Sequence, residues 1–160
     1  MATEIERKFT LCSSEWRAHI RKSKHFRQGY LVGSEQASVR IRIEDHQANI
    51  NIKSATLGVV RHEYEYTIPL EDAVAMLNQL CKQPQIEKIR HYVDFAGKTW
   101  EIDEFSGDNQ GLIVAEIELD SEDEVFELPP WVDQEVSLDT RYYNVCLIEN
   151  PYKNWQDNDK

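Results

Sequence analysis

The sequence predicts a mainly β (α+β) protein in which eight antiparallel strands carry amphipathic helices. Three observations support this fold class. Apolar and polar residues alternate in eight separate stretches, as in strands with one face buried. Short turn-like segments join some of these stretches, and other segments have helical spacing instead. The chain therefore has the material for a sheet covered by helices.

The eight predicted strands follow one another along most of the chain. Their sequences are TEIERKF (3–9), FRQGYLV (26–32), ASVRIRIE (37–44), ANINIKS (48–54), VRHEYEYTI (60–68), IEKIRHYVDF (86–95), TWEIDEF (99–105) and LIVAEIELD (112–120). The joins DHQ (45–47) and AGK (96–98) are as short as hairpin turns. Because parallel neighbours need long crossover connections, these joins indicate antiparallel pairing.

Three segments have the spacing of amphipathic helices. They are SSEWRAHIRK (13–22), EDAVAMLNQLC (71–81) and SLDTRYYNVCL (137–147). The first begins with serines suited to a helix N-cap, and the second has its apolar residues on one face. We expect all three helices to pack on the outside of the strands.

Length and composition indicate one domain. A chain of 160 residues with 41% hydrophobic residues is long enough to bury a core. We expect a single domain over 1–148, followed by a polar, loosely attached tail over 149–160 that is broken by Pro151. The cysteines, Cys12, Cys81 and Cys146, are far apart and lack CxxC spacing, so neither a disulfide framework nor a zinc site is expected.

Charge and hydropathy exclude two classes of partner. A net charge of -11 argues against a non-specific nucleic-acid binder, which needs excess lysine and arginine to displace phosphate counterions. The first residues lack the apolar stretch of a signal peptide, and no apolar run is long enough to span a membrane. We therefore expect a cytoplasmic protein with no nucleic-acid or membrane partner. Homodimer formation is left open.

The polar face of each predicted strand is almost entirely ionised. The acidic residues on these faces are Glu4, Glu6, Glu63, Glu65, Glu101, Asp103, Glu116 and Glu118. The basic residues are Lys8, Arg40, Arg42, Lys53, Arg61, Lys88 and Arg90. Two folds accommodate such faces: a sandwich whose charged faces are wet, or a closed barrel whose lumen carries the charges. The alternation alone does not choose between them.

The spacing of these charges suggests a binding chemistry. Glutamate pairs at i, i+2 present carboxylate oxygens, which hard cations such as Mg²⁺ and Mn²⁺ prefer. Basic pairs at the same spacing, Arg40 with Arg42 and Lys88 with Arg90, offer donors suited to phosphate oxygens. Together they indicate a site for a polyanion and a divalent metal. Tyr30 has a phase compatible with the charged face, although a strand tyrosine is more often a packing residue.

These residues resemble the motif set of the CYTH superfamily, the triphosphate tunnel metalloenzymes. The amino-terminal ExExK motif stands here as Glu4, Glu6 and Lys8. The later motifs follow in order, as Arg40 and Arg42, Lys53, Glu63 and Glu65, Lys88 and Arg90, Asp103, and Glu116 and Glu118. The resemblance runs from about residue 3 to residue 147, and it is most similar to the small bacterial members that hydrolyse inorganic triphosphate.

The resemblance implies a fold and a division of roles. The fold is an eight-stranded antiparallel β-barrel, the triphosphate tunnel, with helices outside. The implied substrate-binding residues are Lys8, Arg40, Arg42, Lys53, Lys88 and Arg90. The implied residues for Mg²⁺ or Mn²⁺ are Glu4, Glu6, Glu63, Glu65, Asp103, Glu116 and Glu118. The implied catalytic residues are Lys8, Tyr30, Glu116 and Glu118.

The same motifs occur in proteins with different substrates. The expected activity is divalent-metal-dependent hydrolysis of inorganic triphosphate to pyrophosphate and phosphate. The enzymatic alternatives are an adenylate cyclase of the fourth class and a nucleoside or thiamine triphosphatase. A non-catalytic polyphosphate-binding module is the alternative from another class. The retained glutamate pairs favour an enzyme, because binding alone needs only the basic residues.

Overall fold

The computed structural model describes residues 3–55 and 58–160, and it confirms the antiparallel barrel. Nine strands are present in the described chain: β1 Thr3–Leu11, β2 Ile20–Gly33, β3 Ala37–Glu44, β4 Gln47–Ser54, β5 Val60–Ile68, β6 Ile86–Phe95, β7 Lys98–Phe105, β8 Ile113–Glu118 and β9 Val132–Glu135. The helices are α1 Leu70–Gln79 and α2 Asn144–Leu147. Single 3₁₀ turns cover Glu15–His19, Gly107–Asn109, Thr140–Tyr142, Tyr152–Asn154 and Asp157–Asp159.

Eight of the strands form a closed ring. The order around the ring is β1, β5, β4, β3, β2, β6, β7 and β8, and every neighbouring pair is antiparallel. β1 pairs with β8 along one edge and divides its other edge between two partners. Thr3–Ile5 pair with β5 and so close the ring, whereas Phe9 and Leu11 pair with β9. The closed ring excludes the sandwich.

The apolar core lies on the outer face of the barrel wall. It consists of three clusters, each covered by a different segment of the chain. Trp16 and Trp131 cover the first cluster, and Tyr142, Leu147 and Trp155 belong to the second. Helix α1 covers the third. Because apolar burial takes place outside the wall, the lumen is left to the polar face of each strand.

The helix predicted over 71–81 is confirmed as α1. Its buried residues Ala73 and Leu77 pack against Ile41 of β3. The helix lies very close to β2 at Gly29, where an added Cβ would be 3.0 Å from Cys81 Cβ and 3.1 Å from Leu77 Cδ2. Glycine at this position therefore allows the close approach of α1 to the barrel wall.

The helix predicted over 13–22 is wrong. Only Glu15–His19 form a 3₁₀ turn, the side chain of the N-cap residue Ser14 makes no capping hydrogen bond, and β2 begins at Ile20. From Ile20 onward the backbone pairs with β6, in the register Ile20 with Val93. Local spacing does not reveal such a long-range pairing, which overrides the weak helical preference of the segment.

The helix predicted over 137–147 is also wrong in extent. The Thr140–Tyr142 turn and the single-turn helix α2 are separated by Tyr143, whose backbone is extended (φ -72°, ψ 131°). The carboxylate of Asp139 accepts a hydrogen bond from the backbone N–H of Arg141 and so satisfies the start of the first turn. The segment is therefore not a regular helix lying on the outer wall.

Two further features of the carboxyl-terminal part differ from expectation. Strand β9 was not predicted, because four residues are too few for a clear alternation. The tail is not loosely attached: Trp155 is buried, its ring centroid lies 5.1 Å from that of Tyr142, and its indole N–H donates to the Asn150 carbonyl. The domain boundary at residue 148 stays a prediction. No helix of the described chain has the length and apolar character needed to cross a membrane.

The contact at Gly29 yields a stability prediction. Gly29→Ala is expected to lower the free energy of unfolding by about 1–3 kcal/mol, because the added methyl group overpacks the interface with α1. Gly29→Val should cost more, since two further methyl groups enter the same space. Urea unfolding followed by circular dichroism measures both. Wild-type stability of the valine variant would show that α1 does not require this close approach.

Candidate active site

The lumen of the barrel holds a cavity of about 130 Å³ with a strongly ionised wall. One water molecule needs only about 10–15 Å³ of such space, so the cavity has room for a small ligand. The predicted site residues that line it are Glu4, Glu6, Lys8, Tyr30, Arg40, Arg42, Lys53, Glu63, Glu65, Lys88, Arg90, Glu116 and Glu118. Every predicted site residue except Asp103 thus lines the cavity.

Strand register places opposite charges beside one another in the lumen. Lys8 of β1 is the direct cross-strand partner of Glu116 of β8, and their side chains lie 3.3 Å apart. Lys53 of β4 is likewise opposite Glu63 of β5, at 3.3 Å. Cross-strand pairs of opposite charge stabilise a sheet, so the same pairs that line the site also favour this register.

Asp103 lies beneath the cavity wall and does not line it. The side chain has no exposed surface, and its oxygens accept hydrogen bonds from Lys88 Nζ at 2.7 Å and from Arg90 Nε and Nη2 at 2.7 and 2.9 Å. Asp103 was expected to be a metal ligand. Both of its oxygens instead accept hydrogen bonds from Lys88 and Arg90, so they are not free to bind a metal here. Asp103 instead holds Lys88 and Arg90 in place.

Arg90 is the most heavily paired base of the site. Besides Asp103 it contacts Glu101, and its Nη2 lies 3.3 Å from Glu116 Oε2. Burial lowers the pKa of this guanidinium, but the surrounding carboxylates outweigh it and hold the pKa well above the usual value. Glu101 lines the cavity but was not among the predicted site residues. Its position on the ionised face of β7 is the feature of the sequence that could have identified it as a site residue.

Arg40, Arg42 and Lys88 form the base-rich part of the cavity wall, where burial lowers the pKa of Arg42 and Lys88 instead of being outweighed by carboxylates. Burial, together with the neighbouring charges of Arg40 and Arg90, lowers the pKa of Arg42 to about 10. Burial likewise lowers the pKa of Lys88 to about 7, with Asp103 acting against it. Arg40 is also buried, and its Nε has no hydrogen-bond partner in the described chain. This part of the wall carries more positive charge than its carboxylates balance, as a site for an anion does.

Carboxylates accumulate on another part of the wall. Burial raises the pKa of Glu6 well above its usual range, and the neighbouring Glu116 and Glu4 add to the effect. Burial and Glu4 also raise the pKa of Glu63. Glu4 itself is held at a pKa of about 2 despite burial, because Lys53 lies beside it and Glu63 hydrogen-bonds to it. These carboxylates repel one another, and a cation would relieve that repulsion.

The donor set fits a hard divalent cation. It consists of carboxylate oxygens on Glu4, Glu6, Glu63 and Glu118, which are the ligands Mg²⁺ and Mn²⁺ prefer. Within residues 3–55 and 58–160, no three acidic, histidine or cysteine side chains converge closely enough to form a ready metal site. The chemistry of the residues therefore fits a metal, while their side-chain positions are not arranged around a single point.

Tyr30 and Glu65 line the cavity, and neither forms an ion pair within the described residues. Tyr30 lines it, but the ring is also part of the apolar cluster that contains Trp155. Glu65 is exposed, and its carboxylate accepts a hydrogen bond of 2.7 Å from Asn51 Nδ2. Both residues reach the cavity, and neither belongs to its buried charge network.

The carboxyl-terminal segment completes the wall, which the sequence did not predict. Tyr143, Asn144 and Val145 line the cavity. Lys8 Nζ donates to the Tyr142 carbonyl at 3.1 Å, and Arg61 stacks on the Tyr143 ring with 4.8 Å to its centroid. Arg61 was visible on the ionised face of β5. Nothing in the sequence of the carboxyl-terminal segment indicated that it lines the cavity, because its spacing predicted a helix on the outside of the barrel.

The fold and the site define an antiparallel barrel with an ionised tunnel. The chain belongs to the CYTH family, since the family model of the CYTH domain matches residues 2–144. It is 43% identical over 157 residues to an inorganic triphosphatase of Acetivibrio thermocellus, covering 98% of this chain and 100% of that protein. It is 33% identical over 150 residues to an inorganic triphosphatase of Nitrosomonas europaea, covering 91% and 96% respectively.

A solved structure agrees with these relatives. The crystal structure of an inorganic triphosphatase aligns with a TM-score of 0.63 and 32% identity. The alignment covers 92% of this chain and 95% of that one. The family and the tunnel fold predicted from the motifs are therefore confirmed.

The buried position of Asp103 leads to a prediction. Asp103→Asn is expected to lower the free energy of unfolding by about 3–5 kcal/mol, because it leaves two buried bases without their shared carboxylate. The matched control is Asp94→Asn, which removes the exposed pair with Arg21 and should change stability little. Urea unfolding of both variants tests this. Equal losses in the two would contradict a special role for Asp103.

Proposed function

We propose that this protein hydrolyses inorganic triphosphate to pyrophosphate and phosphate inside the tunnel, with a divalent metal ion as cofactor. The observation that carries the proposal is the excess of buried positive charge around Arg40, Arg42 and Lys88, beside a separate group of carboxylates. A chain of phosphates with a bound cation supplies both missing charges. The two curated relatives named inorganic triphosphatase support the choice of substrate.

The bases are proposed to bind the phosphate oxygens. The proposed set is Lys8, Arg40, Arg42, Lys53, Lys88 and Arg90. Arg40 is the strongest case, because its buried Nε lacks a partner within the described residues and an unsatisfied buried donor is costly. Asp103 is proposed as a positioning residue, since it contacts Lys88 and Arg90 and does not reach the cavity.

The carboxylates are proposed to hold Mg²⁺ or Mn²⁺. The proposed set is Glu4, Glu6, Glu63, Glu65, Glu116 and Glu118. When bound, such an ion neutralises charge on phosphate oxygens and lowers the pKa of coordinated water. Among these residues Glu116 is the most deeply engaged with bases, because it contacts both Lys8 and Arg90.

Lys8, Tyr30, Glu116 and Glu118 are proposed as the catalytic residues. Burial raises the pKa of Glu116, but Lys8 and Arg90 outweigh it and hold the pKa well below the usual range, so the carboxylate stays ionised. An ionised carboxylate at this position can accept a hydrogen bond from the attacking water and orient it. Lys8 lies 3.3 Å from Glu116, where its ammonium can contact the phosphate that is attacked or released.

Organic triphosphates are the second candidate substrate class. A neighbouring cavity of about 450 Å³ shares Tyr30, Arg61 and Tyr143 with the tunnel, and Ile148 adds an apolar side chain. This space could seat a ring or base beyond the phosphates, as an adenylate cyclase or a nucleoside or thiamine triphosphatase requires. A non-catalytic polyphosphate-binding module has no such observation in its favour.

The cellular setting is proposed on lesser grounds. Cys12, Cys81 and Cys146 are all free thiols, which supports a reducing compartment such as the cytoplasm. A homodimer stays a prediction. The proposed small-molecule partner is the polyphosphate substrate itself, inorganic triphosphate.

Phosphate release from inorganic triphosphate tests the proposed activity. Release should require Mg²⁺ or Mn²⁺ and stop with excess chelator, because phosphate charge would then lack its counterion. ATP and thiamine triphosphate assayed in parallel separate the second substrate class, and cyclic AMP formation would identify a cyclase. Undiminished release in chelator would contradict the metal requirement. Triphosphate binding without any release would leave a binding module.

Substitutions in β3 and on the two faces of β8 test the roles. Glu116→Gln is expected to lower kcat by roughly 10² or more at saturating metal, because it removes a charge that acts in the chemical step. Arg42→Ala should raise KM, since the lost donor contacts phosphate before and during reaction. The control Ile117→Val, on the outer face, should cost about 1 kcal/mol of stability and little activity. Inactive Ile117→Val with active Glu116→Gln would refute the assignment.

A further inference from the structure

One amide side chain enters the ionised tunnel from outside the barrel strands. Asn144 is the first residue of α2, and it lines the cavity together with Tyr143 and Val145. Its Oδ1 lies 3.0 Å from Lys88 Nζ and 2.9 Å from Gln28 Nε2. Asn144 thereby connects the carboxyl-terminal segment to the base-rich part of the wall.

The two neighbours determine which way the Asn144 amide faces. Lys88 Nζ lies 2.7 Å from the Asp103 carboxylate, and in the ammonium form that this pairing favours it has donors only, so the atom of Asn144 beside it is the amide oxygen. The Gln28 amide is oriented independently, because its Oε1 accepts a hydrogen bond of 2.9 Å from Arg42 Nε. The Nε2 of Gln28 therefore faces Asn144 as a second donor. Two separate donors thus fix the amide oxygen on this side.

The amide nitrogen of Asn144 is consequently left with its two N–H donors on the other side. No residue in the described part of the chain accepts a hydrogen bond from this nitrogen. The side chain forms part of the cavity wall and is partly exposed to it. Its oriented donors therefore belong to the same wall as Arg42 and Lys88, whose positive charge lacks full compensation.

We infer that Asn144 is a substrate-binding residue, which donates an amide N–H to a phosphate oxygen of the triphosphate chain while its Oδ1 orients Lys88 and Gln28. The inference rests on the proposed function for the identity of the ligand. A neutral donor suits this position, because it adds a hydrogen bond to phosphate without adding positive charge beside two incompletely balanced bases. The carboxyl-terminal segment is then a part of the binding site as well as a covering of the barrel.

Binding of inorganic triphosphate, measured by titration calorimetry in chelator, tests the inference apart from turnover. Asn144→Ala should weaken binding roughly tenfold or more, as expected for loss of a hydrogen bond to a charged acceptor. The matched control is Asn150→Ala, which removes an exposed amide from the same segment, outside the tunnel lining. The control should bind triphosphate like the wild type. Wild-type affinity of Asn144→Ala would overturn the inference.

A double-mutant cycle separates direct contact from positioning. If Asn144 contacts phosphate, most of the loss caused by Asn144→Ala should persist in a Lys88→Met background. If it acts only by orienting Lys88, the loss should disappear in that background, and the assignment as a binding residue would be wrong. Circular dichroism and the unfolding midpoint establish that each variant is folded.

A measurement on the wild-type protein avoids the risk that a variant does not fold. The side-chain amide signal of Asn144 in a ¹⁵N–¹H correlation spectrum should shift when inorganic triphosphate is added, and the Asn150 signal should not. An unmoved Asn144 signal at saturating triphosphate would overturn the inference. A shifted signal without phosphate release would refute the proposed hydrolysis and keep the binding residue. Absence of triphosphate binding would refute both.

Discussion

The structure depends on the compensation of charges buried inside a closed barrel. A buried ion is costly unless an opposite charge and hydrogen bonds lie close to it. Here the compensation runs through contacts that link four strands: Lys88 and Arg90 share Asp103, Arg90 also contacts Glu116, and Glu116 contacts Lys8. A shift of any of these strands by one residue would turn its charges to the outer face and leave their partners unpaired.

The outer surface of the barrel makes this charged lumen tolerable. Apolar burial, the main favourable term in folding, takes place between the barrel wall and the segments that cover it. Helix α1 packs at Gly29, Trp16 and Trp131 pack on another face, and Trp155 packs on a third. The wall is therefore held from outside, so the lumen side chains need not form an apolar core. Their arrangement is free to serve a charged ligand.

The compensation inside the lumen is uneven, and this unevenness connects the fold to the proposed function. Arg90 is surrounded by carboxylates, whereas Arg42 and Lys88 carry positive charge that is only partly balanced. Glu6 lies among other carboxylates and has the opposite deficit. A polyphosphate with a divalent cation is a ligand whose charges match both deficits. One lumen thus holds both a group of bases with excess positive charge and a group of carboxylates with excess negative charge. Together they support a triphosphate site more strongly than either group does alone.

The sequence by itself determined which side chains share the lumen. Side chains alternate between the two faces of a strand, and this repeat is local. The ionised face can therefore be predicted without the structure, as can the motifs of the CYTH family and most of the site residues. Helix α1 is legible for the same reason, because its apolar face repeats within a single segment. Only the tertiary structure decided how deep each residue lies and what it contacts. Asp103 and Glu101 lie on the same face of β7. Two bases nevertheless separate Asp103 from the cavity, whereas Glu101 lines it. Asn144 enters the site because a distant segment packs across the barrel, and such long-range packing leaves no periodic pattern in the chain.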